Sequence, residues 1–267
     1  MTYFLRELTR ALRSRRFGIV LVFQSILLVV GLSAIYGFAR RVPGAPVGWR
    51  NAYSAWLMSL DAFVLFAPLA APLTYADAII EERRQGFGRY VLLRLPYRTY
   101  LAVKVLVNAI AGGLSLTVPS ALFFLGVLMY FGHTLPPMHS SPSVPLPCVS
   151  GTYLCDHLFP THPNLYIAAR MGWMGAFGMV YATLGMAFSA FSNNRYVALV
   201  GPLVVHYLVV YLLEFVGLSR FSPFYVLDPA AIGGSTAWTM AIPLLIMGSV
   251  SLAILIGGLH KEHPFVF

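Results

Sequence analysis

Charged residues are scarce in this chain: they make up only 10% of its 267 residues, whereas hydrophobic residues make up 58%. The mean hydropathy of +0.75 lies far above that of an ordinary soluble domain. This composition excludes a water-soluble globular protein and indicates an integral membrane protein. Because about 20 apolar residues cross a bilayer as one helix, the length allows six spans with modest loops and no additional folded domain.

Motifs for nucleotide binding and catalysis are missing as well. No GxxxxGK[ST] phosphate loop occurs, which excludes ATP hydrolysis through such a loop. Glu81 and Glu82 resemble the EExxxR motif of CAAX-type intramembrane proteases, but Gly86 stands where that motif requires Arg. His260 and His263 are three residues apart, whereas HExxH needs four. We therefore predict no enzyme and no metal site, and an intramembrane enzyme is an unfavoured alternative.

Signatures of nucleic-acid binding do not accompany the net charge of +9. The chain has no zinc-finger spacing, no RNA-binding signature and no basic recognition helix. We therefore predict no nucleic-acid partner. The positive excess is better explained by membrane topology and by contact with anionic lipid headgroups.

Apolar runs predict six transmembrane helices in one domain that covers residues 17–267. The spans are expected at about residues 17–38, 52–76, 101–131, 165–192, 196–217 and 235–258. Most of the 18 basic residues fall in the segments that this topology places on one side of the membrane. By the positive-inside rule both termini are cytoplasmic, and we predict a multi-pass protein of a prokaryotic cell membrane.

Residues 1–16 predict an amphipathic helix that lies at the membrane surface. Apolar side chains recur there at helical spacing, and arginines occupy another face. The apolar positions are Phe4, Leu5, Leu8 and Leu12, and the basic ones are Arg6, Arg10 and Arg13. The arginines favour the anionic cytoplasmic leaflet. A simple topogenic anchor is the alternative.

A polar segment from Asp77 to Lys104 holds a third of the charged residues between two apolar runs. Its composition predicts a short helix over the acidic and basic residues after Asp77, because Glu and Arg favour helices. Gly86 and Gly88 allow a reversal, and Pro96 interrupts the pattern before the next span. An ordinary cytoplasmic loop that obeys the positive-inside rule is the alternative.

This order of residues resembles the loop between spans two and three of type-2 ATP-binding-cassette (ABC) permeases. The matching residues are Glu81, Glu82, Gly86, Leu92, Leu93, Leu95, Pro96, Tyr97, Arg98 and Lys104. The resemblance extends over the whole chain, through the N-terminal helix, the six spans and a broken outer segment before span six. It implies a cytoplasmic coupling helix within residues 77–100 that contacts a separate ATPase subunit. The implied contact residues are Glu81, Glu82, Arg83, Arg84, Gly86, Phe87, Arg89 and Tyr90, with Arg6 and Arg10 of the N-terminal helix.

The resemblance further implies the permease subunit of an ATP-driven exporter that works by alternating access. It would pair with a second permease subunit, as a homodimer or heterodimer, while ATP and Mg²⁺ bind only to the ATPase partner. Aromatic residues on spans two and five suit an amphiphilic substrate such as a drug, lipid or antimicrobial peptide. The candidate path residues are Tyr53, Trp56, Asp61, Phe63, Phe66, Tyr207, Tyr211 and Phe215. The alternative is that these aromatics face lipid or pack between helices.

Asp61 lies within span two, where a carboxylate costs roughly 2.5–3.5 kcal/mol in hydrocarbon. It is therefore expected to face the bundle interior, water or a cation. An ion-coupled secondary transporter that uses Asp61 is the alternative function. A structural ion pair, for example with Arg170, is the alternative role for this carboxylate.

An external loop is predicted at residues 132–164, a proline-rich segment that contains both cysteines, Cys148 and Cys155. Since the loop lies outside the cell membrane, we predict a disulfide between them, worth about 2.5 kcal/mol in the chain-entropy model. A zinc site with nearby histidines is the alternative, although the spacing matches no standard cluster.

Overall fold

The computed structural model describes residues 2–41, 51–86, 91, 93, 95–132, 162–192, 194–227 and 236–261. Every regular element within these ranges is helical. The helices are α1 (Thr2–Leu12), α2 (Arg15–Arg41), α3 (Ala52–Leu73), α4 (Ala78–Gln85), α5 (Tyr97–Phe131), α6 (Pro163–Phe191), α7 (Arg195–Phe215), a 3-10 turn (Ser219–Phe221), α8 (Pro223–Leu227) and α9 (Ala237–Lys261).

Six segments of the described chain are long and apolar enough to cross a membrane. They comprise α2, α3 together with α4, α5, α6, α7 and α9. This confirms the prediction of an all-helical, multi-pass membrane protein with six such helices. Helices suit hydrocarbon because each one satisfies its backbone hydrogen bonds internally.

The helix boundaries differ from the predicted spans by a few residues. The largest shift is at α5, which begins at Tyr97 rather than 101, directly after the extended Pro96. The first turn of α5 is aromatic and polar, so that an apolar run does not detect it although it is helical. The second predicted span, 52–76, is also divided, because α3 ends at Leu73.

A turn at Thr74–Asp77 separates α3 from the short helix α4. Pro68 and Pro72 lie inside α3 and remove two backbone donors near its end. The short helix α4 ends at Gly86, which has φ 70° and whose N–H donates to the Arg83 carbonyl oxygen. This left-handed C-cap favours glycine, and α4 therefore ends at the glycine that was expected to allow a reversal of the chain.

The helices α3 and α6 form the centre of the bundle, and α5 packs closely against both. At Gly178 of α6, an added Cβ would lie 2.4 Å from the Gly112 carbonyl oxygen of α5. Gly175 likewise faces Thr117 of α5, whereas a Cβ at Gly172 would meet nothing within 4 Å. Of the three regularly spaced glycines of α6, two therefore permit close helix packing and one does not.

We expect Gly178→Ala to destabilise the protein by about 1–3 kcal/mol, because the added methyl group overlaps α5 backbone atoms. The matched control is Gly172→Ala on the same helix, which has open space and should leave stability unchanged or slightly raised. Thermal unfolding in detergent measures both. Equal unfolding temperatures for the two variants would contradict this packing.

Candidate functional site

Three separate parts of the chain meet around Lys104, at the end of the bundle where α1 and α4 lie. The Lys104 side chain is fully buried, and its ammonium group donates to Glu7 of α1 and to Glu82 of α4. It also lies 3.0 Å from the hydroxyl oxygen of Tyr75, in the turn before α4. All three ammonium protons thus have an acceptor.

Each carboxylate of this ionic cluster is itself fully engaged. Glu7 also accepts a hydrogen bond from the Tyr75 hydroxyl. Glu82 accepts from the Tyr100 hydroxyl at 2.6 Å and from Arg10 Nη1 at 3.0 Å. Two cations therefore face two carboxylates, and the cluster is electrically balanced.

Balance matters here because a buried ion loses its hydration. The effective cost in proteins is several kcal/mol per ion, and only good geometry with further hydrogen bonds offsets it. Lys104 is 0% exposed and Glu82 is 4% exposed, so water supplies little compensation. The cluster consequently holds α1, α4 and α5 in one arrangement, because separating any of them would leave a buried charge without its partner.

A second ion pair fixes α4 to the start of α2. Nη1 of Arg16 lies 2.7 Å from Oδ1 and 2.8 Å from Oδ2 of Asp77, the residue that precedes α4. Asp77 is buried, whereas the Arg16 side chain is 44% exposed. The short helix α4 is therefore tied on one side to α5 and on the other to α2.

The α1 groups of the ionic cluster keep their charges at neutral pH. Burial raises the pKa of Glu7, but hydrogen bonds from Lys104 and Tyr75 and the nearby positive charges outweigh it, so its pKa lies below the usual value. Burial lowers the pKa of Arg10, but the negative charges of Glu7 and Glu82 outweigh this and raise the pKa above the usual value. Both shifts favour the ion pairs that hold α1.

The predicted ATPase-contact residues differ in their exposure. Glu82 is buried, and its carboxylate oxygens accept hydrogen bonds from Lys104, Arg10 and Tyr100. It is therefore no longer a candidate for the ATPase contact. Its neighbour Glu81 has a side chain that is 42% exposed, and Arg6, Arg84 and Gly86 are exposed. Arg83 is partly buried, and Arg10 reaches Glu82 from a half-exposed position. Phe87, Arg89 and Tyr90 lie outside the described residues.

The predicted aromatic path does not form one lining in this arrangement. Tyr53, Trp56 and Phe63 are buried in helix packing, and Trp56 Nε1 donates to the backbone and side-chain oxygens of Ser120 at 3.2 Å. These three positions correspond to the alternative that the aromatics pack between helices, because α3 packs against both α5 and α6.

The remaining path candidates lie toward the outside of the bundle. Phe66 packs edge-on against Phe23 of α2, with ring centroids 5.8 Å apart. On α7, Tyr207 donates to the Leu65 carbonyl oxygen, whereas Tyr211 and Phe215 are exposed.

Asp61 is exposed, so that of the surroundings expected for it, water and a cation remain. Arg170, which was suggested as its partner, donates to the Leu227 carbonyl oxygen at 3.3 Å.

Sequence reasoning missed the ionic cluster although two signals were present. Glu7 shares a helical face with Phe4, Leu8 and Ala11, of which Ala11 is buried and the other two are partly buried against the core. Lys104 interrupts an apolar run a little after its start. A lone acid on an apolar face and a lone base in a spanning helix predict a buried pair, because each needs a partner away from water.

No group of three or more His, Cys, Asp or Glu side chains that would hold a metal occurs in the described parts of the chain. The predicted disulfide between Cys148 and Cys155 lies outside these parts and stays a prediction. No family model, curated protein or solved structure matches the chain. Function is therefore inferred from its own residues and geometry.

We expect Lys104→Met to lower the free energy of unfolding by about 3–5 kcal/mol, because it leaves two buried carboxylates without their shared cation. Adding Glu7→Gln and Glu82→Gln removes both charges and should restore much of the loss. Thermal unfolding compares the two variants, and limited proteolysis reports release of α1. If Lys104→Met alone were as stable as the wild type, the stabilising role of the ionic cluster would be contradicted.

The lowered pKa of Glu7 predicts a pH-dependent advantage of the wild type over Glu7→Gln. The advantage should be fully present above the usual value of 4.5 and disappear as the pH falls through the lowered pKa, where the folded carboxylate becomes protonated. Unfolding temperatures from about pH 7 to about pH 3 measure it. Glu214→Gln, an exposed control on α7, should match the wild type throughout. A Glu7→Gln difference that is independent of pH would be inconsistent with this role.

Proposed function

We propose that this chain is the permease subunit of an ATP-driven type-2 ABC exporter, powered by a separate ATPase subunit. The observation that carries the proposal is the ionic cluster around Lys104, which joins α1, α4 and α5 into one rigid unit. The order of elements supports it further: an N-terminal amphipathic helix, six spanning segments and the short charged helix α4 between α3 and α5.

The mechanical argument follows from how α4 is held. A force on α4 passes to α5 through Glu82 and Lys104, and to α2 through Asp77 and Arg16. Because these contacts are buried or charge-assisted, they resist local melting. Closure of an ATPase dimer against α4 would therefore move spanning helices rather than deform the loop.

The exposed charges of this unit are the proposed contact with the ATPase. They include Glu81 and Arg84 of α4 and Arg6 of α1, which share the end of the bundle that we assign to the cytoplasm. With this assignment, both termini lie on the cytoplasmic side of a prokaryotic cell membrane. Charged rims of this kind steer partners and set specificity more than they add affinity.

The substrate path is proposed to lie between this chain and a second permease subunit. Within the described residues, Tyr53, Trp56 and Phe63 are buried in helix contacts, whereas Tyr211 and Phe215 of α7 are exposed. A path bounded by α7 would be apolar and aromatic, which suits an amphiphilic substrate. The transport mode is alternating access driven by ATP on the partner subunit.

Affinity purification in mild detergent tests the proposal. The wild type should bring down an ABC ATPase subunit that hydrolyses ATP, and Glu81→Lys combined with Arg84→Glu should reduce its recovery by about tenfold through like-charge repulsion. The matched control is Glu214→Lys, an exposed charge change on α7 that should leave recovery unchanged. A wild type without an ATPase partner, or equal recovery by both variants, would contradict the proposed contact.

A further inference from the structure

Arg170 carries a positive charge that is buried within the helix bundle. It lies on α6, and only 7% of the residue is exposed. Its Nη2 donates to the Leu227 carbonyl oxygen at 3.3 Å, which is a long hydrogen bond to a neutral acceptor. Within the described part of the chain, Arg170 forms no ion pair. A guanidinium group that has lost its hydration without gaining a counter-charge is strongly unfavourable, so this position calls for an anion.

Hydrogen-bonding atoms on both sides of the contact between α6 and α8 also lack a partner within the described residues. On α6 they are Arg170 Nη1 and Trp173 Nε1, three residues apart and therefore on one helix face. On the other side it is Ser222 Oγ, in the residue that precedes α8. The arginine and tryptophan nitrogens only donate, and the serine hydroxyl can donate. The missing partner is therefore an acceptor, and an anionic oxygen supplies the counter-charge as well.

The surroundings of these donors limit the class of anion. Ile167 and Met174 lie one turn to either side of Arg170, and they belong to the same apolar cluster as Val226 and Leu227 of α8. In such surroundings a single guanidinium group balances a single negative charge, and any excess charge would be costly. A phosphodiester carries one charge and offers oxygens to several separate donors. Free phosphate carries more than one charge at neutral pH, so it fits less well.

The depth of Arg170 in the membrane identifies the source of a phosphodiester. The 29 residues of α6 extend over about 43 Å at about 1.5 Å per residue. This length exceeds the roughly 30 Å of the hydrocarbon core, so the ends of α6 reach the headgroup layers. Arg170 follows Pro163 by about 10 Å along the helix and lies just inside the hydrocarbon boundary. A long arginine side chain at that depth reaches the level of lipid phosphates.

We propose that Arg170 and Trp173 bind the phosphodiester group of an anionic phospholipid, represented by phosphatidylglycerol. The phosphate neutralises Arg170, and its other oxygens accept hydrogen bonds from Trp173 Nε1 and Ser222 Oγ. Phosphatidylethanolamine binds less well, because its ammonium group brings a second cation to a site without a carboxylate among the described residues. Arg170 Nη1 is shielded from solvent in this arrangement, so the five-residue helix α8 shifts from α6 when the headgroup enters. The inference requires only that the chain spans a membrane, and it is independent of the ATPase partner.

Unfolding temperatures of the delipidated full-length chain, with and without phosphatidylglycerol, test the role of the charge. The lipid should raise the unfolding temperature of the wild type but not that of Arg170→Met, which offers the phosphate no cation. Without lipid, Arg170→Met should be at least as stable as the wild type, because it removes a buried charge that has no counter-ion. The matched control is Arg220→Gln, an exposed arginine two residues before Ser222, which should respond to the lipid as the wild type does.

Native mass spectrometry of the same samples measures the affinity. Trp173→Phe keeps an aromatic ring and removes only the N–H donor, so it should weaken binding of phosphatidylglycerol by about tenfold, as expected for one hydrogen bond to a charged group. The wild type should prefer phosphatidylglycerol to phosphatidylethanolamine, and Arg170→Met should bind both lipids equally weakly. Inorganic phosphate at equal concentration should not displace the lipid.

Three results would overturn the proposal. Displacement of the lipid by inorganic phosphate would indicate a site for a soluble anion. An equal rise in unfolding temperature with phosphatidylglycerol for the wild type and Arg170→Met would show that the lipid binds elsewhere. A delipidated Arg170→Met that is much less stable than the wild type would show that Arg170 has a counter-ion within the chain. In that case Asp228→Asn, which follows Leu227 and lies outside the described residues, should have the same effect if Asp228 is that counter-ion.

Discussion

An ammonium group removed from water needs compensating charge and three acceptors, and this requirement organises one end of the molecule. Lys104 meets it with carboxylates from α1 and α4 and a hydroxyl from the turn between α3 and α4. No neighbouring residue on its own helix supplies those groups. The N-terminal helix and the loop helix are therefore both held against α5, and a separation of either would leave an ion buried without a partner.

The rest of the bundle is organised by close packing rather than by charge. The central helices α3 and α6 are largely buried, whereas fewer than a third of the residues in the most apolar parts of α2, α7 and α9 are buried. Glycines at the contact of α5 with α6 bring the two backbones together, as at Gly112 and Gly178. Membrane helices gain little from apolar burial against lipid, so such close contact supplies packing that larger side chains would prevent. The ionic end is thus joined to a tightly packed centre.

The candidate site was hard to predict because residues that are adjacent in the sequence differ in their exposure. Glu81 and Glu82 are neighbours in the sequence, yet one is half exposed and the other is buried by Lys104 and Tyr100. Consecutive residues point in different directions around a helix, and only the packing of α4 decides which direction is inward. The same holds for Trp56 and Phe63, since α3 is apolar apart from two serines and Asp61 and carries no pattern that separates a lining face from a packing face.

The membrane class, the all-helical structure and the number of spanning helices could be predicted from the amino-acid sequence alone. These are local properties: hydrocarbon requires each segment to satisfy its own backbone hydrogen bonds, so a long apolar run already specifies a helix. The packing of the helices, in contrast, brings Glu7 to Lys104, 97 residues away, and places the arginines at the starts of α2 and α7 beside α4. Such pairings depend on how separate helices return to the same end of the bundle, and no local periodicity records that arrangement.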